Sequence, residues 1–122
     1  MSYNESQEMY LETILRLQSK KGSIHAIDVA TELNYSKPSV SRAVGILKKD
    51  GYITVESDGA IQFTKEGRKK AIAVFNRHKV LTDAFVKMGM SVAVAEDNAC
   101  KVEHVISEDA FETIKSYFSE KI

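Results

Sequence analysis

The sequence predicts a mainly α-helical chain with one small β-hairpin. Three features predict it. Apolar residues recur at helical spacing as far as Lys49, the period drops from 3.6 to 2 between Ile53 and Phe63, and helical spacing then returns. Composition agrees: of 122 residues 43% are apolar and 28% charged, the balance of one compact unit or two small lobes sharing a core.

The first helix is expected over Asn4 to Lys20, with Tyr10, Ile14 and Leu17 on one face and Leu11 and Leu15 widening it. Gly22 ends it. A short amphipathic helix follows from Ala26 to Leu33, with Ile27, Ala30 and Leu33 turned inward. Asn34-Tyr35-Ser36 makes a tight turn, in which Ser36 has the side chain of an N-cap and Pro38 falls in the first helical turn, where a missing N–H costs nothing. The third helix runs to Lys49 and buries Val40, Ala43, Val44 and Leu47. Ile53 and Val55, then Ile61 and Phe63, alternate with polar residues, and Asp58-Gly59 suits a two-residue hairpin turn. Thr64 caps a long helix that Gly89 stops near Met88; Ser91 and Ser107 open two more. Two helices, a three-residue turn, a third helix and a hairpin make a winged helix-turn-helix, assigned to residues 1–70. An all-helical domain occupies 71–122.

A single cysteine excludes an internal disulfide and paired-cysteine zinc motifs, and suits a reducing cytoplasm. No signal peptide opens the sequence and no apolar run reaches membrane-spanning length, so a cytoplasmic protein with no membrane partner is expected. The formal net charge is zero. Residues 1–70 hold 11 Lys/Arg against 9 Asp/Glu, and residues 71–122 hold 6 against 8. Charge alone therefore does not announce a nucleic-acid binder, and any DNA-binding cations must be gathered locally.

The candidates at the start of the third helix are Lys37 and Arg42. In a helix-turn-helix the N-terminal half of the second helix enters the major groove, where short polar and basic side chains reach base edges and phosphates. Here that half reads Ser36, Lys37, Pro38, Ser39, Val40, Ser41, Arg42, with Val40 as the anchor and Ser36, Lys37, Ser39 and Arg42 exposed. Arg42 has the fork to take a guanine bidentately. Lys65, Arg68, Lys69 and Lys70 follow the hairpin, either as a phosphate-facing group or as a solvated face.

The segment ACKVEHVIS carries the chain's one cysteine, Cys100, with Glu103 and His104 three and four residues on. On a helix these lie within an arc of ~100°, so a thiolate, a carboxylate and an imidazole share one face. Such a face offers three ligands to a transition metal; the plain alternative is a small buried cysteine beside surface polar groups. Met9 and Glu12, one turn apart on the first helix, are open to the same two readings.

The segments EMYLETI, Tyr35 to Asp50, NRHKVL and DNACKVEHVIS, in that order and spacing, resemble the diphtheria-toxin-repressor and manganese-transport-regulator family of metal-dependent transcriptional repressors, with the iron-type Cys-x-x-Glu-His motif. The resemblance spans almost the whole chain. It implies an activating site of Met9, Cys100, Glu103 and His104, and an ancillary-site ligand at His78. Glu12 stands where the manganese branch places a ligand. A carboxylate of the iron branch is replaced by Thr82, with Asp83 one residue off, and a histidine by Glu96, so His78, Glu12 and Glu96 are the remaining ligand candidates. The SH3-like domain of the iron branch is expected to be missing.

Sulfur donors favour Fe(II), Co(II), Ni(II) or Zn(II) over Mn(II). Fe(II) is the expected activator, Mn(II) the second because of Glu12, and the other ions surrogates. The expected function is a metal-activated repressor of iron-uptake genes that binds operator DNA as a homodimer. Metal joining the first helix to the helical lobe fixes the angle between lobes, and so the spacing of two recognition helices, which must match half-sites about 34–36 Å apart or a multiple. Val102, Val105, Ile106, Phe111, Ile114 and Phe118 supply lobe core and dimer interface together. Competing readings are a winged-helix regulator with a non-metal signal, a thiol sensor lacking a resolving cysteine, and a hydrolytic metalloenzyme lacking a second acid–base cluster.

Overall fold

The computed structural model describes residues 3–119, so the outermost residues of the 1–70 and 71–122 assignments lie outside it. The elements are α1 (Tyr3–Lys21), α2 (Ala26–Leu33), α3 (Lys37–Lys49), β1 (Ile53–Val55), β2 (Ile61–Phe63), α4 (Lys65–Lys87), α5 (Val92–Val102) and α6 (Glu108–Ser119). The chain divides into two units, Met1–Ile72 and Ala73–Ile122.

In the first unit α1, α2 and α3 pack around Leu11, Ile14, Ile24, Val29, Val40 and Leu47, and the hairpin adds Ile53 and Ile61. The apolar stripe of α1 is the one its spacing predicts: Tyr10, Leu11, Ile14 and Leu17 are buried and Leu15 packs beside them. On α2 the inward face differs from expectation. Ile27 is 48% exposed, whereas Val29 and Ala30 are buried and Ala26 and Leu33 pack against the core. Ala26, Val29, Ala30 and Leu33 form the i, i+3, i+4, i+7 stripe, and Ile27 stands about 100° away from its start. Asn34 ends α2 in the left-handed region, at φ 57°, where asparagine is tolerated. The Tyr35 N–H donates to the Ala30 carbonyl at 3.1 Å.

β1 and β2 pair antiparallel with Ile53 opposite Phe63 and Val55 opposite Ile61, so these four side chains share the inner face. The turn is not the expected two-residue Asp58-Gly59. The Gly59 N–H donates to the Glu56 carbonyl and the Glu56 N–H to the Ala60 carbonyl, each at 2.9 Å, which places Ser57 and Asp58 at the turn's centre. Gly59, at φ 91°, takes the bulge position after it. One positive angle, not two, is what a three-residue loop of this kind requires. At the far edge the Ile61 N–H donates to the Ile24 carbonyl at 2.8 Å, and Gln18 Nε2 donates to the Ile61 carbonyl at 3.0 Å, which binds the wing to the helices.

Thr64 caps α4 as predicted: its Oγ1 accepts from the Gly67 N–H at 3.0 Å and donates to the Gly51 carbonyl at 2.6 Å. In the second unit Leu81, Ala99 and Phe111 form the core, with Val80, Phe85, Val102, Ile106 and Ile114 against it. Ser91 and Ser107 accept from the N–H groups of Val94 (3.2 Å) and Ala110 (3.1 Å), as N-caps do. Of the six apolar residues expected to serve core and interface, Val102, Ile106, Phe111 and Ile114 belong to this core, and Val105 is 64% exposed.

Candidate metal centre and DNA-reading helix

The segment from Ser36 to Arg42 opens α3. Ser36, in extended conformation, caps α3 by accepting from the Ser39 N–H at 3.3 Å. Lys37, Pro38, Ser41 and Arg42 are exposed, while Val40 and Val44 face the core. Ser39, expected in the open, is half-buried, and the Ser36 hydroxyl donates to its Oγ at 2.8 Å. The cations after the hairpin split into two kinds. Arg68 lies over the Phe63 ring (5.5 Å) while remaining exposed, and half-buried Lys70 lies over the Tyr52 ring (4.7 Å); Lys65 and Lys69 are exposed. The wing tip itself offers Glu56 and Asp58, so its positive charge is on α4.

On α1, Met9 is half-buried and Glu12 buried. The Tyr35 hydroxyl donates to Met9 Sδ at 3.8 Å. The Thr13 hydroxyl donates to the Met9 carbonyl at 2.8 Å.

In the second unit the predicted trio straddles the end of α5. Cys100 lies in its last turn, Glu103 is the C-cap, and His104 comes just after it. Glu103 retains helical angles (φ −58°, ψ −26°), and its N–H still donates to the Ala99 carbonyl at 2.9 Å. Its own carbonyl leaves the helix ladder and accepts from Arg77 Nη1 at 3.1 Å. That capture satisfies a carbonyl which a helix end leaves without an intrahelical partner.

The Glu103 side chain is fully buried. Its Oε2 meets His78 Nδ1 at 2.7 Å, and its Oε1 meets His104 Nε2 at 3.1 Å. The His104 side chain is 10% exposed. Taking an ionised carboxylate out of water is costly unless positive charge and hydrogen bonds surround it. Donor atoms about 3 Å apart are also what two ligands of one first-row ion present, at metal–ligand lengths of about 2.0–2.2 Å. The carboxylate–imidazole pair therefore fits a divalent cation. Cys100 and Glu96 stand exposed on α5, one and two turns ahead of Glu103. Thr82 lies one turn beyond His78 on α4, and Asp83 is exposed.

Two models of one family match the chain: iron dependent repressor, N-terminal DNA binding domain, over residues 3–61, and iron dependent repressor, metal binding and dimerisation domain, over residues 64–120. The chain belongs to the iron-dependent repressor family. Among its named relatives is the diphtheria toxin repressor of Corynebacterium diphtheriae, 35% identical over 109 residues, covering 86% of this chain and 47% of that protein. The iron-dependent repressor IdeR of Mycobacterium tuberculosis is 34% identical over 106 residues, covering 86% and 46%. The chain thus spans about half the length of the relatives it matches. Solved structures share the fold. A manganese-dependent transcriptional repressor in complex with manganese superposes with a TM-score of 0.83 at 23% identity, over 93% of this chain and 52% of that one. A hypothetical protein of Sulfolobus solfataricus gives 0.71 at 20% identity, over 98% and 91%. Winged helix-turn-helix followed by helical domain is accordingly the architecture of this family member. Among the described residues no helix is long and apolar enough to cross a membrane.

Sequence spacing marks Cys100, Glu103 and His104 but gives no warning of Arg77, which holds the Glu103 backbone and bridges to Glu108 at 2.9 Å. Its nearest signal is its place beside His78 in NRHKVL. Tyr35, in contact with Met9, carries no local signal beyond its place in the turn.

Proposed function

We propose that this chain is a metal-activated DNA-binding transcriptional repressor, a homodimer in the cytoplasm that binds double-stranded operator DNA ahead of metal-uptake genes. The observation that carries the reading is buried Glu103 set between His78 and His104 in a chain that also presents Lys37, Ser41 and Arg42 on a capped recognition helix. Binding, not turnover, is its work, and no role as an enzyme is assigned. Met9, Cys100, Glu103 and His104 hold the activating ion; His78, Glu12 and Glu96 serve a second ion or orient the first set. Residues 1–70 then read DNA, through Ser36, Lys37, Pro38, Ser39, Ser41 and Arg42, and residues 71–122 sense metal and dimerise.

Fe(II) is the assigned ion, because a thiolate and a thioether suit it better than Mn(II). Manganese remains the second reading on one specific ground: the buried carboxylate of Glu12 makes the donor set harder than a sulfur-rich one. Chelator competition under anaerobic conditions separates them. The intact protein should prefer Fe(II), and Cys100→Ser should cut that preference roughly tenfold while keeping Mn(II) affinity, as replacing a soft donor by a hard one requires. An unchanged Fe(II)/Mn(II) ratio in Cys100→Ser removes the thiolate from the ligand set.

A further inference from the structure

One side chain outside the ligand pattern joins Met9 to the turn of the helix-turn-helix by a hydrogen bond. The Tyr35 hydroxyl donates to Met9 Sδ at 3.8 Å. Its ring stands edge-on to buried Tyr10, with centroids 6.3 Å apart and planes at 65°. Its backbone is fixed as well. The N–H donates to the Ala30 carbonyl at 3.1 Å, Asn34 before it is left-handed, and Ser36 after it is the N-cap of α3. At the other end of α3, Gln7 Nε2 of α1 donates to Asp50 Oδ2 of the C-cap at 2.7 Å. Helix α1 thus reaches both ends of the DNA-reading helix, at Asp50 through Gln7 and at Ser36 through the Met9–Tyr35 contact.

A methionine side chain has three rotatable bonds, so fixing its sulfur on a metal loses rotamer freedom. A donor that already orients the sulfur removes part of that cost, as outer groups do for other metal ligands. We infer that Tyr35 is a positioning residue: its hydroxyl aims the Met9 thioether for metal capture, and its place beside the Ser36 N-cap transmits that capture to α3. The inference rests on Met9 being a metal ligand. A packing role alone would need the ring but not the hydroxyl, and Tyr35→Phe separates the two.

The test uses the full chain with Fe(II) or Co(II) alone as the probe, first without DNA. Chelator competition should show Tyr35→Phe binding metal about tenfold more weakly, the lower end of what loss of an outer-shell partner does. Thermal melting of the metal-free variant should match the parent. Operator affinity should be unchanged without metal, and the factor by which metal tightens it should fall. Met9→Ala should weaken metal binding by itself, and adding Tyr35→Phe to it should change nothing more. Parental metal affinity in Tyr35→Phe, with Met9→Ala impaired, overturns the role of Tyr35 and leaves Met9 a ligand. Parental affinity in Met9→Ala removes the premise and overturns both. Weaker DNA binding by the same factor with and without metal would reduce Tyr35 to packing.

Discussion

Arg77 shows how much of the candidate centre depends on residues that bind nothing themselves. Its guanidinium holds the Glu103 carbonyl at 3.1 Å and the Glu108 carboxylate at 2.9 Å, and lies over the Phe111 ring at 5.4 Å. The backbone that carries Glu103 and His104 is thereby fixed to α4. Arg77→Ala should weaken metal binding by about tenfold, the size of effect seen when support behind a ligand is lost, and chelator competition reads it directly. A second residue sets a pH dependence. The Lys21 ammonium, hydrogen-bonded to Asp28 at 2.6 Å, and then the His25 N–H at 2.8 Å hold the Asp28 carboxyl below its ordinary 3.8. The folded state therefore binds this proton less readily than the unfolded chain. The associated stability is present above pH 3.8 and is lost as the pH falls through the lower, folded value. Asp28→Asn should flatten that acid limb and cost about 0.5 kcal/mol near neutrality, because the amide oxygen can still accept from the His25 N–H while the ion pair with Lys21 is lost; denaturant melts across the acid range measure both. Helical spacing, being local, marks Glu103 and His104 as neighbours, and the two side chains do meet. Arg77 and Tyr35 were not legible, since their partners are 26 residues away in sequence and no local pattern announces a carbonyl or a sulfur waiting there.

At the scale of elements, caps and turns were readable where one residue type answers one backbone need. Ser36, Thr64, Ser91 and Ser107 all accept the N–H groups expected of them. Ser36→Ala should cost about 1 kcal/mol and lower operator affinity through fraying of the first turn of α3, which a thermal melt and a binding isotherm report together. The two misreadings have physical causes. An eight-residue helix admits two overlapping apolar stripes, and packing selects the one through Val29. A hairpin with Asp-Gly at its tip admits two loop lengths, and the Glu56–Ala60 hydrogen bond selects the longer. Gly67 shows close approach that no sequence pattern flags. A Cβ there would overlap the Tyr52 carbonyl, so the start of α4 sits against the residue leading into the wing. Gly67→Ala should destabilise the protein by about 1–3 kcal/mol through overpacking. Gly45→Ala, in the interior of α3 with open space around it, should stabilise by about 0.5–1 kcal/mol. Denaturant unfolding of the pair gives opposite signs if the packing is as described.

For the whole molecule, the order of elements was written in the change of period from 3.6 to 2 and back. A winged helix-turn-helix followed by helices is the result. What spacing cannot encode is coupling, because that is a difference in free energy between two states of the molecule, not a pattern in one. If metal capture by Met9, Cys100, Glu103 and His104 favours the DNA-binding state, metal and operator must each tighten the other's binding by the same factor, with a coupling of ~1–3 kcal/mol typical of such systems. Reciprocity gives a check independent of any site assignment: operator DNA should raise metal affinity as much as metal raises operator affinity. The most direct test of the central claim is operator binding by fluorescence anisotropy, under anaerobic conditions at fixed salt, with and without saturating Fe(II), for the parent chain and for His104→Ala. Metal should tighten the parent's binding roughly five- to 150-fold and leave His104→Ala near its metal-free affinity. Strong operator binding by the parent that ignores metal, or a full metal response in His104→Ala, would contradict the account.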